Sequence, residues 1–391
     1  MPLTVVVVLI AVWVGATWYT GTRIEAQTGD IIARVNTAWA GNQQPMGMQI
    51  KQISYMRGFF SSHARFALTN NLLQNQSVVE YDVTFSHGPF PLAALLRGYF
   101  LPRKYQAHVE VLPTTGPFKA MADALMNGKP PLVIDVGCSY DNHCTGTGSV
   151  PPIDADLDPV SKSAKLAFGG VQMQFDFDRQ SDNDYQASGD AQLLPLSIGG
   201  QNFGSGQITV MGDAHSATEV FSWKTDQGAS KLTLALNATR PIPLWSDPAL
   251  TPEDWPKLFK TVSAKLELSK SMAVDLAAHA LSLTKGIDPA ATRQQMNTRF
   301  DTVLTNNAEA REFIQAQGDL LVSDWQYADG KLTVNGQEHP ELLEQIKQNY
   351  QARLHVREQA AAGAAAQTPG DAVASAASAS APVPASAASG Q

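Results

Sequence analysis

The sequence predicts an α+β protein. An N-terminal transmembrane helix leads into a β-rich body of long, antiparallel, half-exposed sheet, with several C-terminal helices packed on it and a disordered tail. Three observations predict this order. The chain opens on an uncharged apolar run, its middle alternates apolar and polar residues with a period of two, and helix start signals recur from Thr251 onward. The 391 residues, 44% of them hydrophobic, suffice for a substantial core. They divide into an anchor at 1–22, a β-rich exported region at 23–245, a helix-rich region at 246–358 with a hairpin near 320–336, and a tail at 359–391.

The first element is PLTVVVVLIAVWVGATWYTG, in which residues 3–19 carry no charge. As a helix these residues rise about 26 Å, at the short end of what spans a bilayer core. Trp13, Trp18 and Tyr19 crowd the distal half, where aromatic rings favour the lipid–water interface. Val14, Gly15 and Ala16 also suit a signal-peptidase site, but no basic residue precedes the apolar run, so an uncleaved signal-anchor is the preferred reading. Both readings export the remaining chain. The expected location is therefore the bacterial inner membrane, single-pass, with the bulk in the periplasm.

Strands follow. In EYDVTFSHG, Tyr81, Val83, Phe85 and His87 share one face, and Glu80, Asp82, Thr84 and Ser86 the other. In KLAFGGVQMQFDFD, Val171, Met173, Phe175 and Phe177 oppose Gln172, Gln174, Asp176 and Asp178. ARFALT, GQITVMG, ATEVFSWKT, KLTLALNA and AKLELS read the same way, whereas FGSGQ reads as a strand-edge turn. Such alternation marks antiparallel sheet with one wet face.

The two cysteines, Cys138 and Cys144, lie in GCSYDNHCTGTG, with turn-forming Gly137, Asp141, Asn142 and Gly146 around them. A metal site with His143 as third ligand is the alternative, but a structural zinc site needs four ligands and no second pair exists. In an oxidising compartment a disulfide is the simpler outcome, a local staple on a short loop.

Helices enter later. Thr251 can cap a helix that Pro252, Glu253 and Asp254 begin, and Asp288–Pro289 repeats the device before AATRQQMNTRFDTVL. SMAVDLAAHALSLTKG is a further helix, with Met272, Leu276 and Leu283 on one stripe. SDWQYADGKLTVNGQ is two arms joined at Asp329–Gly330, a two-residue hairpin signal. PELLEQIKQNYQARLHV is the last helix. From Ala360 the tail is Ala-, Ser- and Pro-rich, with no aromatic residue to order it.

WYTGTRIE, YMRGFFSSHARFAL, VTFSHGPFPL and WQYADGKLTVNGQ together resemble the YdgA-like family of bacterial envelope proteins, a domain family of unknown function. The resemblance covers the first hundred or so residues and residues 265–337, and the centre looks abbreviated against the family. Its more specific blocks contain Arg57, Gly58, Phe59 and Phe60, and His87, Gly88, Pro89, Phe90 and Pro91. The family implies an N-terminal anchor and a large periplasmic part; it supplies no catalytic residue.

His87 could serve as a base or ligand, but no signature marks a partner carboxylate or nucleophile. It lies in phase with Phe85 and Val83, and Gly88, Pro89 and Pro91 end a ladder before LAALL begins a helix. His87 therefore reads as a structural corner. Asp154, Asp156 and Asp158 have calcium-loop spacing, but Pro159 stands where glycine is required and Lys165 where the closing glutamate belongs. No nucleophile elbow, zinc helix or phosphate loop is present, so no catalytic residue, cofactor or metal is assigned.

The net charge of −8 disfavours nucleic acid, whose phosphates demand a basic footprint. The partners expected are the inner membrane through the N-terminal helix, an envelope protein or lipid, and a second copy of the chain. The reading is a non-catalytic binding or scaffolding component of the cell envelope. Its alternative is a carrier of lipid or another hydrophobic ligand, and an enzyme with a dispersed site stands third. Whether the apolar face of strands such as VQMQFDF is plugged by helices or left open discriminates scaffold from carrier.

Overall fold

A computed structural model describes residues 2–41, 48–70, 76–126, 128–156, 165–181, 183–242, 255–349, 351, 352 and 355, with the side chains of 2–12, 38–41, 76, 78, 116–118, 255, 256, 284 and 309 outside that description. Helix α1 (Pro2–Gly41) precedes strands β1 (Met48–Arg57), β2 (Ser61–Asn70) and β3 (Gln76–His87). Then come α2 (Leu92–Leu96), β4 (Tyr105–Pro113), α3 (Gly116–Met126), β5 (Leu132–Cys138), β6 (His143–Val150), β7 (Ile153–Asp156) and β8 (Lys165–Phe168). Long strands follow: β9 (Val171–Ser181), β10 (Asp184–Ile198), β11 (Gln201–Asp213), β12 (Ser216–Thr225) and β13 (Gly228–Ala238). The last elements are α4 (Trp255–Leu258), β14 (Phe259–Ser269), α5 (Lys270–Lys285), α6 (Pro289–Asn306), α7 (Ala308–Phe313), β15 (Gln315–Gln317), β16 (Leu320–Ala328), β17 (Lys331–Val334) and β18 (Gln337–Glu338). All of these belong to one compact unit ending at Leu343; a second unit runs from Glu344 and is described only as a helical stretch.

The strands form one antiparallel sheet in near-continuous meander. Cross-strand partners follow in a row from Ala64 through Val83, Val109, Ile134, Gly148 and Met173 to Ala191, Ile208, Phe221, Leu232 and Leu266. Paired residues point to the same side, so this row stays on one face throughout. The next row on the other face reads His108, Asp135, Thr147, Gln174, Asp190, Thr209, Val220, Thr233 and Lys265. One face of the sheet is thus apolar and the other polar across its whole width.

Helices pack against the sheet at both ends, and α3 packs on β4 and β7 between them. At one end α1 lies over β1 to β3, where Ala64, Phe66 and Val83 form a core with Ile32, Ile50, Tyr55 and Phe85. Asn36 of α1 completes the edge strand by donating from Nδ2 to Ile50 O and accepting from Ile50 N, both at 2.8 Å. At the other end α5 packs on β13 and β14, and α6 on α5. Ser269 caps α5, accepting from Met272 N at 3.2 Å, and Asp288 caps α6 beside Pro289. Apolar side chains on this face still reach solvent beyond the helices: Val210 of β11, Leu234 of β13, and Val262 and Leu266 of β14 are 36–41% exposed.

One line interrupts the ladder. β6 and β7 share a single register against β8 and β9, with Pro151–Pro152 facing Gly169–Gly170 between them. The prolines donate nothing, and Gly169 N and Gly170 O turn instead to Pro195 O and Leu194 N, at 2.9 and 3.0 Å. The line continues into β11 as a bulge at Gly204, so FGSGQ lies inside a strand rather than at a strand-edge turn. Gly170 has φ +96°, and a Cβ there would stand 2.4 Å from Val150 O.

The Asp329–Gly330 turn joins β16 to β17 with both residues at positive φ, 50° and 78°. The cap at Thr251, the third aspartate at Asp158 and the tail from Ala360 lie outside the described residues.

The crease generates a prediction. Gly170→Ala should lower stability by about 1–3 kcal/mol in urea unfolding, through backbone strain and the Val150 contact. Gly189→Ala, whose Cβ would meet nothing nearer than 3.5 Å, should change it by less than about 0.5 kcal/mol. Equal effects would remove the special role of the Pro–Pro/Gly–Gly line.

Candidate functional site

Two features are built around α1: a socket that grips it and a groove beside it. The socket draws on both sequence blocks singled out above. Arg57 Nη1 bonds Glu25 Oε2 of α1 at 3.1 Å, and its guanidinium lies 5.8 Å over the Trp18 ring. Gly58 N donates to Ser61 O at 2.8 Å, closing the turn that presents Phe59 and Phe60, and Phe60 stacks at 5.3 Å from Trp13. Phe60 O in turn accepts from His87 N at 3.0 Å, so the two blocks touch.

His87 ends β3, 2% exposed. Its Nδ1 lies 3.2 Å from Thr17 O, and its Nε2 lies 3.1 Å from Ser62 Oγ. Burial pushes its pKa below the ordinary histidine value, favouring neutral imidazole. The helix can come this close only because of two glycines. A Cβ on Gly21 would stand 2.6 Å from the His87 ring, and one on Gly88 (φ +116°) 2.6 Å from Thr17 Oγ1. Pro89 O accepts from Arg103 N, buried Pro91 accepts from Ala94 N to start α2, and Phe90 stays exposed. With both ring nitrogens committed and nearly no solvent access, His87 locks the helix onto the sheet end.

The groove lies between the next face of α1 and the apolar side of β4, β5, β6, β9 and β10, with a volume of 800 Å³. Its floor includes Tyr105, Val136, Phe175 and Phe177, and Ile31 of α1 forms a wall. The Cys138–Cys144 disulfide, a cross-strand bond between β5 and β6, also lines it. His143 points to the opposite face, where its Nε2 meets Asp176 Oδ2 at 2.8 Å. Gln27, Asp30, Arg34, Lys104 and Arg179 line the same groove. Lys104 is half-buried, and desolvation, then the nearby Arg23 charge, push its ammonium below the ordinary lysine pKa.

The polar face carries shallower grooves of 620, 440 and 500 Å³ lined by Asp135, Asp176, Asp190, glutamines and threonines. Its carboxylates are engaged locally: Asp135 Oδ1 lies 2.7 Å from Arg97 Nη2 and 2.8 Å from His108 Nδ1. Among the described residues no group of three His, Cys, Asp or Glu side chains could hold a metal. Asp154, from the calcium-like spacing, pairs with Lys165 at 2.9 Å. A third polar cluster, Asp275 with Arg293 at 2.6 Å and His279 at 3.6 Å, ties α5 to α6.

Residues 2–221 and 218–341 match the family described as "Bacterial protein of unknown function (DUF945)". The chain belongs to that family. Protein YdgA of Escherichia coli (strain K12) is 24% identical over 358 residues, covering 89% of this chain and 61% of that protein. The uncharacterized protein YihF of the same strain is 26% identical over 207 residues, 51% of this chain and 41% of YihF. An uncharacterized protein of Haemophilus influenzae is 22% identical over 188 residues, 48% of this chain and 50% of its own. The chain thus spans between about two fifths and three fifths of the length of these relatives, 41–61%.

Sequence reasoning places His87 to Pro91 at a strand end, gives Arg57 to Phe60 no place in the fold, and misses the groove residues of α1. The available signal was helical spacing beyond the apolar run: Ile24, Thr28, Ile32 and Asn36 recur every fourth residue and face the sheet, leaving Arg23, Gln27 and Ile31 on the adjoining face.

The socket generates a prediction with a defined sign. Because the folded-state pKa of His87 is lowered, the unfolded chain binds its proton more readily. The neutral ring's contribution is full above the unfolded pKa, about 6.5, and is lost as pH falls through that value toward the folded pKa. His87→Gln should flatten this part of the melting-temperature profile between pH 7.5 and 5.5, and His87→Ala should cost about 1–3 kcal/mol at pH 7.5. Unchanged pH dependence in His87→Gln would remove the titration argument.

Proposed function

We propose that this protein is a non-catalytic, membrane-tethered binder of a hydrophobic ligand, a lipid or another molecule with an acyl chain, held against the apolar sheet face in the bacterial periplasm. One observation carries the reading: the apolar face is left open between α1 and α5, with an 800 Å³ groove at its α1 end. Soluble proteins seldom leave contiguous apolar surface beyond a few hundred Å² uncovered unless something binds there. A scaffold needs no such trough, so the open face favours the carrier over the scaffold.

The tether is the apolar run at 3–19, and export agrees with a bonded cysteine pair. Among the described residues no helix is long and apolar enough to cross a membrane, and the side chains of residues 2–12, most of the run, lie outside that description. The orientation proposed is N-in. A phosphatase fused after residue 60 should be active; an inactive fusion there, with a cytoplasmic reporter active instead, would reverse the orientation.

Ligand binding is tested with a fluorescent monoacylglycerol titrated into the full chain in mild detergent. Saturable binding is expected. Ile31→Asp, at a half-exposed wall position, should weaken it about tenfold or more without lowering the melting temperature. Absence of saturable binding, together with native mass spectra free of co-purifying lipid, would reject the carrier.

A further inference from the structure

A second groove, of 620 Å³, adjoins the first on the side where α1 meets the β3–β4 connection. The two share Gln27 and Lys104. Its other lining includes Ala16, Tyr19, Thr20 and Arg23 of α1, and Tyr140. Two cations therefore face one cavity. Arg23 donates through Nε to Tyr19 Oη at 2.9 Å and lies 5.5 Å over that ring. Among the described residues no carboxylate stands within ion-pair distance of Arg23 or of Lys104, whereas Arg57, one strand away, is matched by Glu25.

Arg23 and Lys104 thus lack the acidic neighbour that cations such as Arg65, Arg97, Lys119, Lys270 and Arg293 have, in a chain whose net charge is −8. Two like charges beside one cavity repel each other, and half-buried Lys104 also loses hydration, costs that a bound anion reverses. The adjoining apolar groove is continuous with the cavity through Lys104, so an anion placed between Arg23 and Lys104 has apolar wall beginning beside it.

Resting on the carrier reading, we propose that the ligand is an anionic phospholipid, its phosphate held by Arg23 and Lys104 in the smaller groove and an acyl chain laid along Ile31, Val136, Phe175 and Phe177 in the larger. The phosphate accepts from the guanidinium and the ammonium, and the Thr20 side chain stands in the same lining. Asp30 lies in the larger groove, about two turns along α1 from Arg23, with Arg34 one turn further on.

The test compares two labelled probes on the full chain in mild detergent: a phosphatidylglycerol and the neutral monoacylglycerol. Wild type should bind the phosphatidylglycerol at least about tenfold more tightly. The double variant Arg23→Gln/Lys104→Gln should lose that preference and bind the two probes with similar affinity. Lys104→Arg, which retains the charge, should keep most of the preference and controls for disturbed folding. Equal affinity of wild type for both probes overturns the head-group site and leaves the carrier standing; failure of both probes overturns both. Inorganic phosphate at millimolar concentration should not displace the lipid; displacement by phosphate alone would assign the site to a free anion and overturn the proposal.

Discussion

Register parity is the constraint on which the rest of the structure depends. Side chains alternate across a strand, and antiparallel partners directly opposite point the same way, so each pairing passes the identity of the apolar face to the next strand. Here that inheritance runs from β4 to β11 with Ala107, Val136, Gly146, Phe175, Gly189 and Val210 in succession. A one-residue slip between β9 and β10 would exchange Phe175 and Met173 for Gln174 and Gln172 on everything beyond it. The bulge at Gly204 is therefore tolerated only because the ladder returns to its earlier register on both sides, at Leu193 with Gly206 and at Ser197 with Asn202.

A sheet with one apolar face must cover it, and the two ends do so by different means. α1 seals its end with a buried aliphatic stripe and a neutral histidine, where the backbones approach through Gly21 and Gly88. α5 seals the other with polar anchors: Asp319 accepts from Ser269 Oγ and Ser271 Oγ, both at 2.6 Å, and Asp275 holds α6 through Arg293. Between these ends the exposed face would cost roughly 25 cal/mol for every Å² left in water. Under the carrier reading, a bound ligand offsets that penalty.

The strands were legible because burial on one side imprints a period of two on the residues themselves. Val171 to Phe177 and Tyr81 to His87 fall on the faces their alternation predicts. The helix cap at Asp288 and the Asp329–Gly330 turn are likewise local chemistry. The second half of α1 was illegible because its buried stripe includes Thr28 and Asn36, polar residues whose bonds go to Ile24 O and to the edge strand. The crease was illegible for a different reason: Pro151–Pro152 and Gly169–Gly170 acquire meaning only once paired, and the pairing is long-range. For His87 the phase could be read, but its partner Thr17 lies 70 residues earlier.

The placement of the two grooves ties the proposed tether to the proposed ligand. α1 leaves the body at Trp13, flanked by Phe60 and by the β3–β4 connection, whose Leu92, Leu96, Phe100 and Leu101 are 66–81% exposed. Arginine sits over an aromatic ring nearby at three places: Arg23 over Tyr19, Arg57 over Trp18 and Arg103 over Tyr99. Aromatic rings with basic partners suit the head-group layer of a bilayer, while exposed aliphatic side chains suit the layer beneath it. Under the carrier reading this end rests at the membrane surface, and the Arg23–Lys104 cavity opens within a helical turn or two of it. An anionic lipid drawn from that leaflet would meet the cationic cavity first and the apolar trough behind it. A site at the far end, under α5, would require the lipid to cross open water. The same helix can thus both hold the protein to the bilayer and form the wall of the groove.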